Sequence, residues 1–406
     1  MRILFLTHRL PYAPNRGDRI RSYHILRALS RRHEVRLVSL VHDDLELGEV
    51  ARLQSLVSGV AVRRVPRWRN LARVPLALPG RTPLTHVLLD ASLKRVLEAE
   101  VNQYPPDVVL AYCSGMARLA VDPPLAGLPF VLDMLDVDSE KWRALGHTTR
   151  GPRGWVYRRE ADRLSRFERE AASQAYATTV VNERERRSLL ALAPDADVRV
   201  VPNGIDTAAF RPEGPPSLEP RVVFTGVFNY EPNATAAVWL AERVWPLVKR
   251  RQPDARLALV GANPSPAVTR LASSDASIEV TGTVPRVQPY LWRSAVATAP
   301  LMMARGIQNK VLEAIAAGLP VVVTPVVEEG LPSVAAPACS VASEPDDFAE
   351  AIVRLLQKSP PERRRIAESA DLGSLGWESQ LAPLLNLLDE LSEATATART
   401  ATPQLR

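Results

Sequence analysis

The chain has 406 residues, 46% of them hydrophobic and 24% charged, too long for one small domain and too ordinary for a disordered, coiled-coil or collagen-like protein. The formal net charge is +6, from 51 Lys and Arg against 45 Asp and Glu, a surplus that bears on anionic partners and not on fold. Cys113 and Cys339, the only cysteines, suit neither a disulfide framework nor a metal spacing, and no apolar run approaches the ~18 residues of a membrane span.

In chain order, the apolar run Ile3–Leu6 is too short for the core of a signal peptide and reads as the end of a first strand, so the expected location is cytoplasmic. Short β-branched runs then alternate with helical patterns: Ile3–Thr7, Val35–Val41, Val60–Val65, Val108–Tyr112, Phe130–Leu135, Thr178–Val181 and Val198–Val201. After a Pro/Gly-rich stretch the pattern restarts with Val222–Thr225, Leu257–Val260, Ile278–Thr281, Val296–Ala299, Val321–Thr324 and Cys339–Val341. Near-continuous apolar strands separated by helices are the mark of parallel sheets covered on both faces. The expected class is α/β, with a Rossmann-like domain over 1–200, a linker over 201–220 and a second Rossmann-like domain over 221–372. A late amphipathic helix occupies 373–392, its leucine-rich part running from Trp377 to Leu391, and the small polar tail 393–406 is expected to be disordered.

Three strand-to-helix junctions could receive a phosphate. The first contains Asn15 and Gly17, with Asp18 as N-cap of a helix from about Arg19 to Ser30; glycine admits close backbone approach, and a helix N-terminus presents unpaired N–H groups to an anion. It lacks G-x-G-x-x-G, which speaks against a dinucleotide-dependent dehydrogenase. The second contains Gly226 and Asn229, with Asn233 expected to cap a helix reaching about Val248. The third runs through Arg305, Gly306, Gln308, Asn309, Lys310 and Glu313. Gln308 or Asn309 would cap its helix, Gly318 would end it in a left-handed conformation, and Pro320 would prevent continuation. Arg305, Lys310 and the helix end suit a diphosphate, and Glu313 could accept ribose hydroxyls; the competing reading is a surface ion pair between Lys310 and Glu313.

These strings resemble a known family. Glu313 followed by Gly318-Leu319-Pro320-Val321-Val322, together with Val201-Pro202-Asn203-Gly204-Ile205-Asp206, is similar to the retaining glycosyltransferases of family 4. The resemblance spans nearly the whole chain. It implies a GT-B fold, two Rossmann-like domains with a cleft between them and a last helix crossing back to the first domain. It also implies metal-independent transfer of a sugar from a nucleotide-diphosphate sugar, with no cofactor. More narrowly, the strings Arg9–His24, Asp136–Trp142 and Gln308-Asn309-Lys310 resemble sugar transferases associated with exosortase and PEP-CTERM exopolysaccharide loci.

The resemblance places the nucleotide base near Thr283 and Val284, and it makes Asp136 and Asp138, after a first-domain strand, candidates for orienting or deprotonating the acceptor hydroxyl. Asp138 could alternatively be a helix N-cap. His8 lies by the first loop and is a third catalytic candidate, ahead of His24, while His33 reads as structural. Two departures stand out. Arg305 replaces the first acid of the family's pair, and Phe228-Asn229-Tyr230 stand where an Arg and a Lys are usual, so the diphosphate charge is expected to have moved to Arg305 and Lys310.

From Arg63 to Arg81 there are six arginines and no acid, interleaved with Trp68, Leu71, Val74, Leu76 and Leu78. This composition suits an anionic membrane surface and an acceptor carried on lipid. The rival readings are a nucleotide-sugar epimerase on the same fold, a nucleic-acid-binding protein and a two-lobed sugar-binding protein. Only 5% aromatic residues and the lack of a stacking tract count against nucleic acid.

Overall fold

The computed structural model describes residues 1–12, 17–304 and 307–401, and it divides into two compact units, 1–204 with 378–406, and 205–377. The first unit holds a seven-stranded sheet built from β1 (Arg2–Thr7), β2 (Glu34–Val41), β3 (Gly59–Arg64), β4 (Val108–Tyr112), β5 (Phe130–Leu135), β6 (Ala177–Val180) and β7 (Val198–Val200). The order is β3-β2-β1-β4-β5-β6-β7 and every pairing is parallel. Helices cover both faces, which explains why β1 and β4 are apolar almost throughout.

The first-unit helices that bear on function are α1 (Gly17–Ser30), α2 (Arg67–Ala77), α3 (Ser114–Val121), α4 (Asp138–Thr148) and α5 (Gly151–Gln174). Two caps expected from sequence are displaced. α1 begins at Gly17, so Asp18 lies inside it, and α4 is preceded by Val137, so Asp138 is its first residue. An acid in the first turn still favours the positive helix end, which is why the same composition fits either register.

A buried ion pair organises this unit. Arg21 on α1 and Asp133 on β5 are both fully buried and meet through two hydrogen bonds of 2.9 Å. Thr179 Oγ1 donates to the same carboxylate at 2.7 Å, while Arg21 Nη1 donates to Pro202 O at 3.1 Å and Asn203 Oδ1 at 3.0 Å. Burial alone would lower the arginine's proton affinity, but Asp133 outweighs it and holds it above the ordinary value. One guanidinium thus joins the first helix, the central sheet and the segment that leaves this unit. Arg21→Ala should cost about 3–5 kcal/mol because Asp133 would stay buried without its partner, and Arg21→Lys should not restore it, since an ammonium cannot make the two-pronged contact. Urea unfolding checks this; a loss under about 1 kcal/mol would contradict it.

The second unit carries β8 (Arg221–Thr225), β9 (Arg256–Val260), β10 (Ile278–Val280), β11 (Val296–Ala299), β12 (Val321–Val323) and β13 (Cys339–Val341), in the order β10-β9-β8-β11-β12-β13, all parallel. The segment expected to be a linker holds a short helix, Thr207–Phe210, capped by Asp206. Two further helices matter, α6 (Glu231–Trp239) and α7 (Asn309–Ala316). After α7, Gly318 adopts φ +80°, the left-handed stop expected there.

The last helix, α8 (Trp377–Ala401), belongs to the first unit from Glu378 onward. Leu381, Leu384, Leu387, Leu388 and Leu391 are buried at helical spacing, and Glu390 pairs with Arg199 at 2.8 Å. It therefore crosses back, as the resemblance implies. It also runs past its expected end, through part of a tail expected to be disordered, because Ala, Glu and Arg there are good helix formers. Among the described residues no helix is long and apolar enough to cross a membrane.

Candidate functional site

In a doubly wound parallel sheet, ligands bind beyond the carboxyl ends of the strands, where the winding reverses. In the second unit this point lies between β8 and β11. Two glycines build the turn after β8: Gly226 N–H donates to Val260 O at 3.0 Å, and Gly261, at φ +149°, sits so near that a Cβ on it would lie 1.7 Å from Gly226 O. Gly261 N–H in turn donates to Thr281 Oγ1 at 3.3 Å. The loops after β8, β9 and β10 are thereby locked to one another, which a side chain at Gly261 would prevent.

Asn233 does not cap α6. It lies in the helix's first turn, because Pro232, favoured at the opening positions, sets the start earlier, with Tyr230 at the cap position. Asn233 is buried instead, its Nδ2 donating to Val227 O at 3.0 Å and its Oδ1 accepting from Lys310 Nζ at 2.6 Å. That last bond joins α6 to α7 across the switch point. Lys310 Nζ also sits 5.1 Å from the centre of the Phe224 ring. Among the described residues Lys310 and Glu313 form no ion pair, so the surface salt bridge is not what this sequence makes.

Each of these two residues is half-buried as a whole, yet its charged end lies among protein atoms. Burial lowers the Lys310 ammonium to about 8, only partly offset by Glu313, and raises the Glu313 carboxyl to about 7, only partly offset by Lys310. Opposed shifts of this kind mark a functional-site candidate, here a partly buried cation whose hydrogen bond goes to an amide and not to the nearby carboxylate. Gln308 occupies the N-cap position of α7 without a side-chain cap, leaving the N–H groups of Asn309 and Lys310 at the same edge. Gly226, Asn229, Thr283 and Val284 stand on neighbouring loops of that edge; Asn229 and Thr283 are exposed, and Val284 is half-buried against the core. Asn15, Arg305 and Gly306 lie outside the described residues, and of Gly17 only its place at the start of α1 is described. Two shallow depressions, one around Glu219, Asp254 and Arg256 and the other around Glu279 and Tyr290, border the amino ends of these strands, the edge where such sheets do not bind ligands.

The first unit has its own switch point, between β1 and β4. His8 follows β1, stacks on Tyr112 at 5.8 Å and brings Nδ1 within 3.3 Å of Cys113 Sγ. Cys113 and Leu135, at the ends of adjacent strands β4 and β5, both have positive φ, 71° and 65°. Strained non-glycine backbone of this kind concentrates at functional sites, and here one such residue, Leu135, directly precedes Asp136. The Asp136 carboxyl is pushed up from its ordinary value by the protein crowded around it and then by the charges of Glu185 and Asp138, while the residue keeps the solvent contact a substrate would need. Asp138 accepts from Ser114 Oγ at 3.0 Å, and Glu185 holds Val137 N–H at 2.9 Å. Behind them Glu168, fully buried and raised to about 8 chiefly by burial, accepts from Ser139 N–H at 3.2 Å. Cys113, Tyr112, Glu168 and Glu185 were not singled out by sequence, and no spacing marks them; only the fold gathers them. His24 packs edge-on to Tyr23 on α1, and His33, its side chain 8% exposed, is lowered by burial beside Asp389 on α8, a structural setting. Among the described residues no group of three or more His, Cys, Asp or Glu is arranged to hold a metal.

Comparison with known proteins adds the chemistry. Residues 17–204 match the model of the glycosyl transferase 4-like domain, and residues 219–358 match glycosyl transferases group 1, together most of the chain. No curated protein matches the sequence significantly. Among solved structures, Anabaena Alr3699/HepE in complex with UDP and glucose superposes with TM-score 0.61 at 13% identity, over 96% of this chain and all of that one. Staphylococcus aureus TarM, also with UDP, gives 0.63 at 10% identity over 95% and 99%. A glycosyltransferase of Rickettsia africae gives 0.60 at 11% over 96% and 98%.

Proposed function

The chain is a glycosyltransferase of GT-B fold, and from that premise we propose that it moves a sugar from a nucleotide-diphosphate donor to a hydroxyl of a lipid-linked saccharide in bacterial exopolysaccharide synthesis. The second unit takes the donor and the first the acceptor. Lys310 and the uncapped start of α7 meet the diphosphate and stabilise the charge that develops as it departs, Glu313 receives the ribose, and the loops at Gly226, Asn229, Thr283 and Val284 line the nucleoside. Arg305, Gly306, Asn15 and Gly17 are further donor-binding candidates from the sequence. Asp136 orients the acceptor hydroxyl and accepts its proton, with Asp138 and His8 as the further candidates for that role. The reaction retains anomeric configuration and needs no metal, in keeping with the resemblance to family 4, and the exopolysaccharide setting rests on the narrower likeness at Arg9–His24. The enzyme works at the inner face of the cytoplasmic membrane, held there through 63–81.

The observation that carries this reading is the Lys310–Asn233 bond, which holds at the switch point of the second sheet a cation with no ion pair among the described residues. Its test is a thermal-shift panel of UDP-, GDP- and dTDP-sugars, with and without chelator, since a ligand at 100 times its Kd stabilises by about 2.7 kcal/mol. One donor family should raise Tm in both conditions. No shift with any donor would overturn the assignment, and turnover of donor alone to an epimer would favour an epimerase.

A further inference from the structure

Helix α2 is amphipathic with its apolar face turned to solvent. At about 100° per residue, Trp68, Leu71, Ala72, Pro75 and Leu76 share one face, and Trp68, Leu71 and Leu76 are 83%, 42% and 82% exposed. The inward face carries Asn70, which is 1% exposed and donates through Nδ2 to Leu88 O at 3.0 Å and Asp90 O at 2.7 Å. A helix that merely covered the sheet would have the reverse arrangement, its Trp and Leu inward and its amide outward.

Charge frames this face. Arg64 and Arg73 are engaged by Asp44 and Asp90, whereas Arg63, Arg67, Arg69 and Arg81 are exposed and have no ion pair among the described residues. A second acid-free basic segment, 141–159 with six Lys and Arg, comes from α4 and α5. Buried Arg159 on α5 fastens the two together by donating to Ala77 O, Leu78 O and Gly80 O at 2.8 Å each and to Thr82 O at 3.1 Å. Its neighbour Glu160 accepts from Leu84 N–H at 2.7 Å and Thr85 N–H at 2.9 Å. The carboxyl end of α2 is thereby pinned one helical turn from Trp155, which is 53% exposed. This is an outward apolar ridge with two tryptophans and a basic border, built on rigid supports.

We infer that this composite surface of α2 and the start of α5 is where the first unit lies on an anionic phospholipid bilayer. Trp68, Leu71 and Leu76 enter the boundary between headgroups and acyl chains, and the unpaired arginines meet lipid phosphates. The inference sharpens the membrane part of the proposed function and rests on that part only, not on the donor site.

Vesicle co-sedimentation of the full chain tests it, with phosphatidylcholine vesicles against vesicles containing phosphatidylglycerol. Binding should require the anionic lipid and fall as salt rises. Arg67→Glu/Arg69→Glu should weaken it by about 30-fold or more, and Trp68→Ser/Leu76→Ser by about tenfold or more. Circular dichroism should be unchanged, because the altered side chains are exposed. Nucleoside-diphosphate affinity should also be unchanged, so failure of the donor assignment and failure of this one are distinguishable. Equal pelleting with neutral and anionic vesicles, or binding unaffected by both double variants, would overturn the inference. So would a dimer in solution that the Trp68/Leu76 variant dissociates while vesicles are ignored.

Discussion

Replacing Lys310 with Met is expected to weaken nucleoside-diphosphate binding by about 30-fold or more, since removing one partner of a buried charge contact costs about 2–5 kcal/mol. The effect is large because, among the described residues, Lys310 hydrogen-bonds to a neutral amide, Asn233 Oδ1, and pairs with no carboxylate, so it keeps its charge for a ligand. Its pH signature is specific. The ammonium is lowered from 10.5 to about 8 by burial, and a bound diphosphate favours the charged form. Affinity should therefore fall by up to about tenfold per unit above about pH 8, while Lys310→Met should lose this slope. Without ligand the linkage runs the other way. Between about 8 and 10.5 the unfolded chain holds this proton and the folded chain releases it, so Lys310's contribution to stability rises with pH across that window. Calorimetric titration of both proteins at several pH values separates these effects, and parallel affinity profiles would show that Lys310 does not meet the diphosphate.

Asp136→Asn should leave nucleoside-diphosphate affinity within about twofold of the parent and cut transfer by about 10²–10⁴, the usual yield of a positioned acid–base group. The two halves of that expectation separate because Asp136 lies at the end of β5, in the first unit, while Lys310 and Glu313 lie in the second. The Glu185 charge contributes to raising the Asp136 carboxyl, so Glu185→Gln should move the acid limb of the pH–rate profile to lower pH. A transfer rate unchanged in Asp136→Asn, measured with saturating donor, would remove this residue from the chemistry.

Much of the architecture was legible because a parallel sheet writes itself as apolar runs. The strands at Ile3–Thr7, Val108–Tyr112 and Phe130–Leu135 were readable within a residue of their ends, and the leucine spacing of α8 shows plainly from Trp377 on. Helix starts were less legible, because one residue type serves several positions. Asn233 is a good N-cap in isolation, and only Pro232 marks the true start. The site's partnerships leave no local trace. Arg21 reaches Asp133 and Asn203 across 112 and 182 residues, and Lys310 reaches Asn233 across 77. These pairings arise when strands are wound into order, so a reading of motifs can name Lys310 and Asp136 but not what holds them. The basic stretch at 63–81 was visible as composition; that its tryptophan and leucines face outward, and that Arg159 joins it to a second basic segment, belongs to the fold.

The proposed nucleotide-sugar site at the carboxyl edge of the second sheet is tested by hydrogen exchange on the intact protein, with and without the nucleoside diphosphate selected by the thermal-shift panel. Peptides covering 226–234, 281–285 and 307–314 should slow on ligand addition, and those in the Lys310→Met variant should slow far less at equal ligand concentration. Protection confined to the first unit, or equal protection in parent and variant, would rule out a donor site at Lys310.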